Sequence, residues 1–230
     1  MIEDYIIDQF RKPENMPLVA STISGDEFKL KAICDQLPSE FKNGTLVDLG
    51  CGRGRFCFEM LNLGFYKVIG IEPVREFLPD ETHSIEGLQF IVATAHATTL
   101  QSNSVDIVIL SEVIQHLPNL QTALDEIFRI LKTNGRIIIL DRNINALHTK
   151  YLIPIRFWKR YSELRGRWMY SKDSKFKERW FSKNSLKLHL KKSAFKFVSH
   201  EYVLHDGRSR LLFSCLPKYM SPYSIWVGQK

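Results

Sequence analysis

The chain has 230 residues, is 44% apolar and 25% charged, and carries a formal net charge of +7. That composition suits one globular domain with a full core, and no apolar run is long enough to cross a bilayer. The first residues, MIEDYIIDQF, are acidic and lack a basic flank before an apolar stretch, so no signal peptide is expected and the chain reads as cytoplasmic.

In chain order, residues 1–40 form an N-terminal segment that is helical in its second half. Ser24 and Glu27 have capping-box spacing, Phe28, Ala32 and Ile33 follow on one face, and Pro38 closes the helix. A regular alternation follows. TLVDLG (45–50) predicts a strand, Phe56 to Leu63 a helix with Gly64 at its end, KVIGIE (67–72) a second strand, LQFIVAT (88–94) a third and VDIVIL (105–110) a fourth. Leu120, Leu124, Ile127 and Leu131 make one face of a helix opened by Asn119 and closed at Asn134-Gly135, before a fifth strand, RIIIL (136–140). Ser182 caps a helix to about Lys192, KFVSHEYVL (196–204) predicts a sixth strand and SIWVGQK (224–230) the last. Short apolar strands alternating with helices predict an α/β fold with a parallel sheet covered on both faces. Ligands bind such sheets beyond the carboxyl ends of the strands, where strand order reverses.

The charge is uneven. Residues 150–192 carry 14 Lys or Arg against three acids, a net +11, so the rest of the chain nets −4. Four cysteines, Cys34, Cys51, Cys57 and Cys215, show neither a CxxC pair nor zinc spacing. They read as reduced thiols, and no metal site is expected.

VDLGCGRGRF (47–56) places Gly50, Gly52 and Gly54 directly after the first strand, with Asp48 inside it. The spacing is GxGxG, whereas a dinucleotide turn reads GxGxxG and a phosphate loop needs GK[ST]. Asp48 would repel a pyrophosphate and suits an amino or ammonium group. Glu72 ends the second strand, where a carboxylate can accept both hydroxyls of a ribose. These residues fit an adenosine that carries an amino acid.

Together with GIEP, VATAHA and VDIVILSEVIQHLPNLQTALDEIFRILKTNGRIIIL, the glycine segment resembles the class I S-adenosylmethionine-dependent methyltransferases, in the large branch that includes small-molecule and quinone- or sterol-type enzymes. The resemblance covers about residues 40–141, and loosely 178–204. It implies a Rossmann-like, doubly wound, seven-stranded and mostly parallel sheet, with the last strand inserted antiparallel between the fifth and sixth. It also implies S-adenosylmethionine as cofactor. Gly50, Gly52 and Gly54 would line the methionine part, with Cys51 a small filler between them, and Asp48 would hold the amino group. Glu72 would take the ribose and Pro73 pack near the adenine. Ser111 and Glu112 would meet the methionine moiety through backbone. The family's third strand usually ends in an acid and a small residue; here the pair is Thr94-Ala95 or Ala95-His96, so a backbone N–H would serve the adenine. Arg53 and Arg55 read as solvated or helix-facing.

On the acceptor side, His116 in SEVIQHLPN is the candidate base, and Asp141, Arg142 and His148 after the fifth strand are candidate substrate residues. No NPPY-like tetrad follows the fourth strand, which argues against amide or nucleobase amines as acceptors. The basic, aromatic stretch 151–181 resembles the family's lid. Phe157, Tyr161, Leu164 and Trp168 fall on one helical face, expected to wall the acceptor together with Trp158, with arginines off that face. One domain is expected over 1–230: the N-terminal segment 1–40, a cofactor-binding core 41–144, a basic aromatic lid 145–182 and a C-terminal part 183–230. The function expected is methylation of a small, anionic or amphipathic acceptor at oxygen or carbon. An RNA methyltransferase that uses the basic lid for phosphates and an S-adenosylmethionine-binding protein without transferase activity are the alternatives. A basic, Trp-rich amphipathic segment also suits peripheral contact with an anionic membrane.

Overall fold

The computed structural model describes residues 2–79, 85–148, 150–167, 170, 175–204 and 215–230. Trp168, expected in the lid, lies outside them. The strands are β1 (Thr45–Leu49), β2 (Lys67–Ile71), β3 (Leu88–Ile91), β4 (Val105–Ser111), β5 (Leu131–Arg142), β6 (Lys196–Val203) and β7 (Tyr223–Gln229). They form one sheet in the order β3-β2-β1-β4-β5-β7-β6, parallel except for β7, which pairs antiparallel with β5 and β6. Strand order reverses between β1 and β4, which opens a crevice at their carboxyl ends.

Six helices accompany the sheet among the described residues: α1 (Ile2–Arg11), α2 (Glu27–Cys34), α3 (Arg55–Asn62), α4 (Leu120–Ile130), α5 (Ile155–Leu164) and α6 (Lys183–Lys192). Burial of the central strands on both faces explains their unbroken apolar runs. On one face Val108, Leu110 and Trp226 pack under Leu124 and Ile127 of α4 and Leu186 of α6; on the other, Ile107, Ile109 and Ile138 pack under Phe28 and Ile33 of α2 and Met60 of α3. Asn119 and Ser182 cap α4 and α6 by accepting from the backbone N–H of Thr122 and Ser185.

Three expectations change. No capping box forms at α2: Asp26 stands at the N-cap without a capping hydrogen bond, and its carboxylate pairs with Lys29 at 2.8 Å and with Arg55. α4 ends at Ile130, one residue before Leu131, which pairs with Val105. The chain then bulges before Arg136 resumes the ladder opposite Ile107, with Asn134 at φ 68. α1 lies where the composition of residues 2–11 suggested only an acidic terminus. Its Ile6 joins Tyr170 and Phe176 in a small separate core, with Tyr5 and Phe10 packed against it.

Candidate active site

The crevice is a cavity of about 500 Å³ at the carboxyl ends of β1, β2 and β4. Of the cofactor-side candidates, Asp48, Gly50, Cys51, Gly52, Glu72, Pro73, Thr94, Ala95, Ser111 and Glu112 all reach its wall. Gly54 does not. It stands at the N-cap of α3 with φ 77, and a Cβ there would meet the Phe90 ring at 2.6 Å, so its bareness makes room for packing beneath the turn.

Two of the glycines shape the cavity itself. Gly50 and Gly52 have φ 78 and 54, and a Cβ would lie 2.5 Å from Val113 Cγ2 at the first and 2.7 Å from Val19 Cγ1 at the second. Between these turns, Glu72 accepts the Gly52 N–H through Oε2 and the Val74 N–H through Oε1, both at 3.0 Å. Each oxygen keeps further acceptor capacity for a hydroxyl. Burial pushes the Glu72 carboxyl up to about 7 against those two N–H donors. Burial also raises Asp48 to about 7, opposed by the Cys57 thiol, which donates to it at 3.5 Å, and by the Arg55 charge.

The wall therefore holds two desolvated carboxylates that gain from hydroxyl donors and a cation. Ser111 Oγ and Gln115 Oε1 are buried in the same wall with no hydrogen-bond partner among the described residues. This donor and acceptor set fits an adenosyl amino acid: acceptors for ribose hydroxyls at Glu72, a carboxylate for an ammonium at Asp48, and glycine backbone with no side chain in the way.

The cavity wall also holds His116, Arg142, Arg167 and Glu178. The His116 Nδ1 is 3.0 Å from Tyr170 Oη and 3.6 Å from Glu178 Oε1. Its ring stands edge-on to Phe10, with centroids 5.2 Å apart. The Gln115 amide nitrogen lies 3.5 Å from the Glu112 carbonyl and 3.3 Å from His116 Nε2, so it donates to both and the neutral ring carries its proton on Nδ1. Burial lowers the His116 pKa, against the opposing charges of Glu178 and Glu112.

Arg142 Nε reaches Glu112 Oε1 at 3.3 Å, and Lys29 pairs with the same carboxylate. Burial favours the neutral Glu112 carboxyl, but Lys29 and Arg142 outweigh it and hold the pKa below its ordinary value. Glu112 itself sits at φ 60, a strained position for a non-glycine residue at a strand end.

Several placements differ from the sequence reading. Asp141 is buried behind the wall, where it accepts the Arg142 N–H at 2.7 Å and burial raises it to about 8. His148 and Trp158 lie outside the cavity, with their rings in tilted contact at 4.7 Å in the insert. Phe157, Tyr161 and Leu164 are exposed, because α5 packs through its other side, with Lys159 Nζ over the Trp180 ring and donating to the Glu178 carbonyl at 3.2 Å.

The roof comes instead from α1 and the following turn, through Glu3, Ile6, Ile7, Phe10 and residues 18–20; the insert supplies Arg167 and Glu178 to the wall and Tyr170 and Phe176 behind the roof. His96 fastens this roof, with Nδ1 2.7 Å from Glu3 Oε1 and Nε2 3.0 Å from the Asn119 carbonyl. Arg53 and Arg55 are partly buried and partnered: Arg53 Nε donates to the Val19 carbonyl at 3.3 Å, and Arg55 pairs with Asp26. A signal for Arg55 was available, since a cation in the first turn of a helix opposes the helix dipole and needs a carboxylate partner.

Residues 47–139 match the family model described as a methyltransferase domain. This stretch is a methyltransferase domain, and the chain around it has the fold of the S-adenosylmethionine-dependent methyltransferases. The curated relatives include a demethylmenaquinone methyltransferase of Lactococcus lactis, 28% identical over 104 residues that make up 42% of this chain and 41% of the relative. A mitochondrial ubiquinone biosynthesis O-methyltransferase of Rattus norvegicus is 29% identical over 121 residues, 49% of this chain and 34% of the relative. The match thus spans less than half the length of these two relatives. A solved S-adenosylmethionine-dependent methyltransferase from Thermotoga maritima shares the fold over 98% of this chain and 99% of its own, with a TM-score of 0.67 at 22% identity.

Proposed function

We propose that this methyltransferase domain transfers a methyl group from S-adenosylmethionine to oxygen or carbon of a small anionic or amphipathic acceptor. One observation carries the reading: a single cavity runs from the buried Asp48 and Glu72 carboxylates to His116 and Arg142. When bound, S-adenosylmethionine supplies an electrophilic methyl group on a cationic sulfur. Glu72 and Asp48 hold the cofactor by its hydroxyls and ammonium, and the turns at Gly50 and Gly52 let backbone lie against it.

The remaining wall sorts by chemistry. Phe10, Ile6, Ile7 and Leu117 exclude water and suit an apolar ring or tail, while Arg142 and Arg167 suit an anionic group. Methyl transfer is governed by placement, with the nucleophile held about 3 Å from the methyl carbon. A hydroxyl acceptor also has a proton to lose. His116 takes that proton on Nε2 in place of the Gln115 N–H that Nε2 accepts at rest, and Glu178 and Tyr170 on the Nδ1 side steady the imidazolium that results. The names of the relatives direct the acceptor search to aromatic hydroxy compounds of the demethylated quinol kind.

Calorimetric titration with S-adenosylmethionine, with NAD as control, followed by labelled methyl transfer to phenolic, carboxylate and RNA acceptors, tests this reading. Micromolar binding of S-adenosylmethionine alone and transfer to a phenol or quinol are expected. Binding of NAD instead, or methylated RNA, would overturn it. Binding without transfer to any acceptor would leave a cofactor-binding protein.

A further inference from the structure

We propose that the insert docks on an anionic lipid surface through the loop and helix at residues 150–165. Of the fifteen large apolar side chains exposed among the described residues, six lie here: Tyr151, Leu152, Ile153, Phe157, Tyr161 and Leu164, the last 79% exposed. Such clustering is not the scatter of single apolar residues found on ordinary surfaces.

Backbone geometry presents the first three. The His148 N–H donates to the Ile153 carbonyl and the Leu152 N–H to the His148 carbonyl, both at 2.8 Å. This closes a turn with Leu152 at φ 51, a conformation unfavourable for a branched side chain, and it holds Leu152 outward at the tip. The other three follow at i, i+4 and i+7 along α5, one face of the helix. Stacking of Trp158 on Tyr151 at 4.6 Å and Tyr161 at 5.7 Å joins turn and helix into one face.

Charge selects the occupant. Lys150, Arg156, Arg160 and Arg165 are exposed beside these apolar groups. Three of them lie against aromatic rings: Lys150 by Tyr151, Arg156 by Phe157 and Arg165 by Tyr161, at 5.4, 5.1 and 5.5 Å. Aromatic rings flanked by cations with long apolar stems match the boundary between acyl chains and anionic headgroups. A second copy of this chain would bring the same positive charge to the face and be repelled. No described helix is long and apolar enough to cross a membrane, so the segment would lie along the surface. The insert also gives Arg167 and Glu178 to the cavity wall, which places the docking face and the acceptor end on one stretch of chain.

Vesicle flotation of the full chain tests the proposal independently of any methyl acceptor. Phosphatidylcholine vesicles with an equal share of phosphatidylglycerol should carry the protein up the gradient, and pure phosphatidylcholine vesicles should not. A variant with Leu152→Ser, Phe157→Ser and Leu164→Ser keeps the charge and should bind roughly tenfold more weakly. Arg156→Gln with Arg160→Gln and Arg165→Gln should lose most of the salt dependence as well as the affinity. All six side chains are exposed, so circular dichroism should show both variants folded. Equal binding to neutral and anionic vesicles, no binding to either, or an apolar variant as tight as the parent would each overturn the proposal. So would a preference for single-stranded RNA that only the arginine variant abolishes.

Discussion

Glu72 Oε2 accepts the Gly52 backbone N–H at 3.0 Å and so ties the end of β2 to the glycine turn that follows β1. The same carboxylate that would hold the ribose thus fixes the loop that would lie under the methionine part. In Glu72→Gln, one of the two N–H donors would face an amide N–H, and a full acceptor charge is lost. Binding of S-adenosylmethionine should weaken at least about tenfold, in line with the 1.5–3 kcal/mol of a charged hydrogen bond. Calorimetry reads this directly, and wild-type affinity in the variant would remove Glu72 from the site.

Burial raises Asp48 and Glu72 to about 7 and Asp141 to about 8. Folded carboxyls with raised pKa values bind protons that the unfolded chain has already released. Their contribution is complete below the unfolded values near 4 and is lost as pH rises through 7 and 8. Burial holds His116 and His200 low, and these act in the opposite sense, but only below about 6.5, where an unfolded histidine is charged. The ligand-free protein should therefore melt at a lower temperature as pH rises from about 6.5 to 8, by roughly 2–4 °C for each kcal/mol lost. Binding of a cationic cofactor favours the ionised carboxylates, so its affinity should rise over the same interval. A melting temperature flat across this range would contradict the placement of these carboxylates.

His116 has Glu178 and Tyr170 on its Nδ1 side and the cavity's polar groups on the other. With a hydroxyl acceptor, His116→Ala should lower turnover by roughly a hundredfold while cofactor affinity stays the same. Glu178→Gln should shift the acidic limb of the pH–rate profile downward, since Glu178 favours the charged imidazole. Turnover unchanged in His116→Ala would assign catalysis to placement alone.

The His96–Glu3 contact at 2.7 Å holds α1 over the cavity. His96→Ala should leave the fold intact and raise the dissociation rate of the cofactor, by roughly tenfold for a helix fastened by one such contact. Stopped-flow displacement measures that rate, and an unchanged value would mean that α1 is held by its other contacts, Ile6 in its small core, Phe10 against His116 and Arg11 with Glu76.

Most of the sheet could be read from its residues. Strands buried on both faces must be continuously apolar, and VDIVIL matches β4 almost residue for residue. The glycine turn and the acid at the end of β2 were equally open to reading, because glycines at positive φ and an acid at a strand end are local requirements of backbone and charge. The acceptor end was not. Phe157, Tyr161 and Leu164 have the spacing of a packed face, yet they are exposed, since periodicity identifies a face without saying what covers it. The roof lay in α1, about a hundred residues before the His96 and His116 that it meets, and nothing local in MIEDYIIDQF indicates that meeting. Sequence by itself determined the strands, most of the helices, the glycine turn and the carboxylates at the strand ends, because each follows from local steric and burial rules. Only the tertiary structure decided that Asp26 pairs with Arg55, that Glu3 meets His96 and that Tyr170 meets His116, because contacts between residues distant in sequence depend on how whole elements pack.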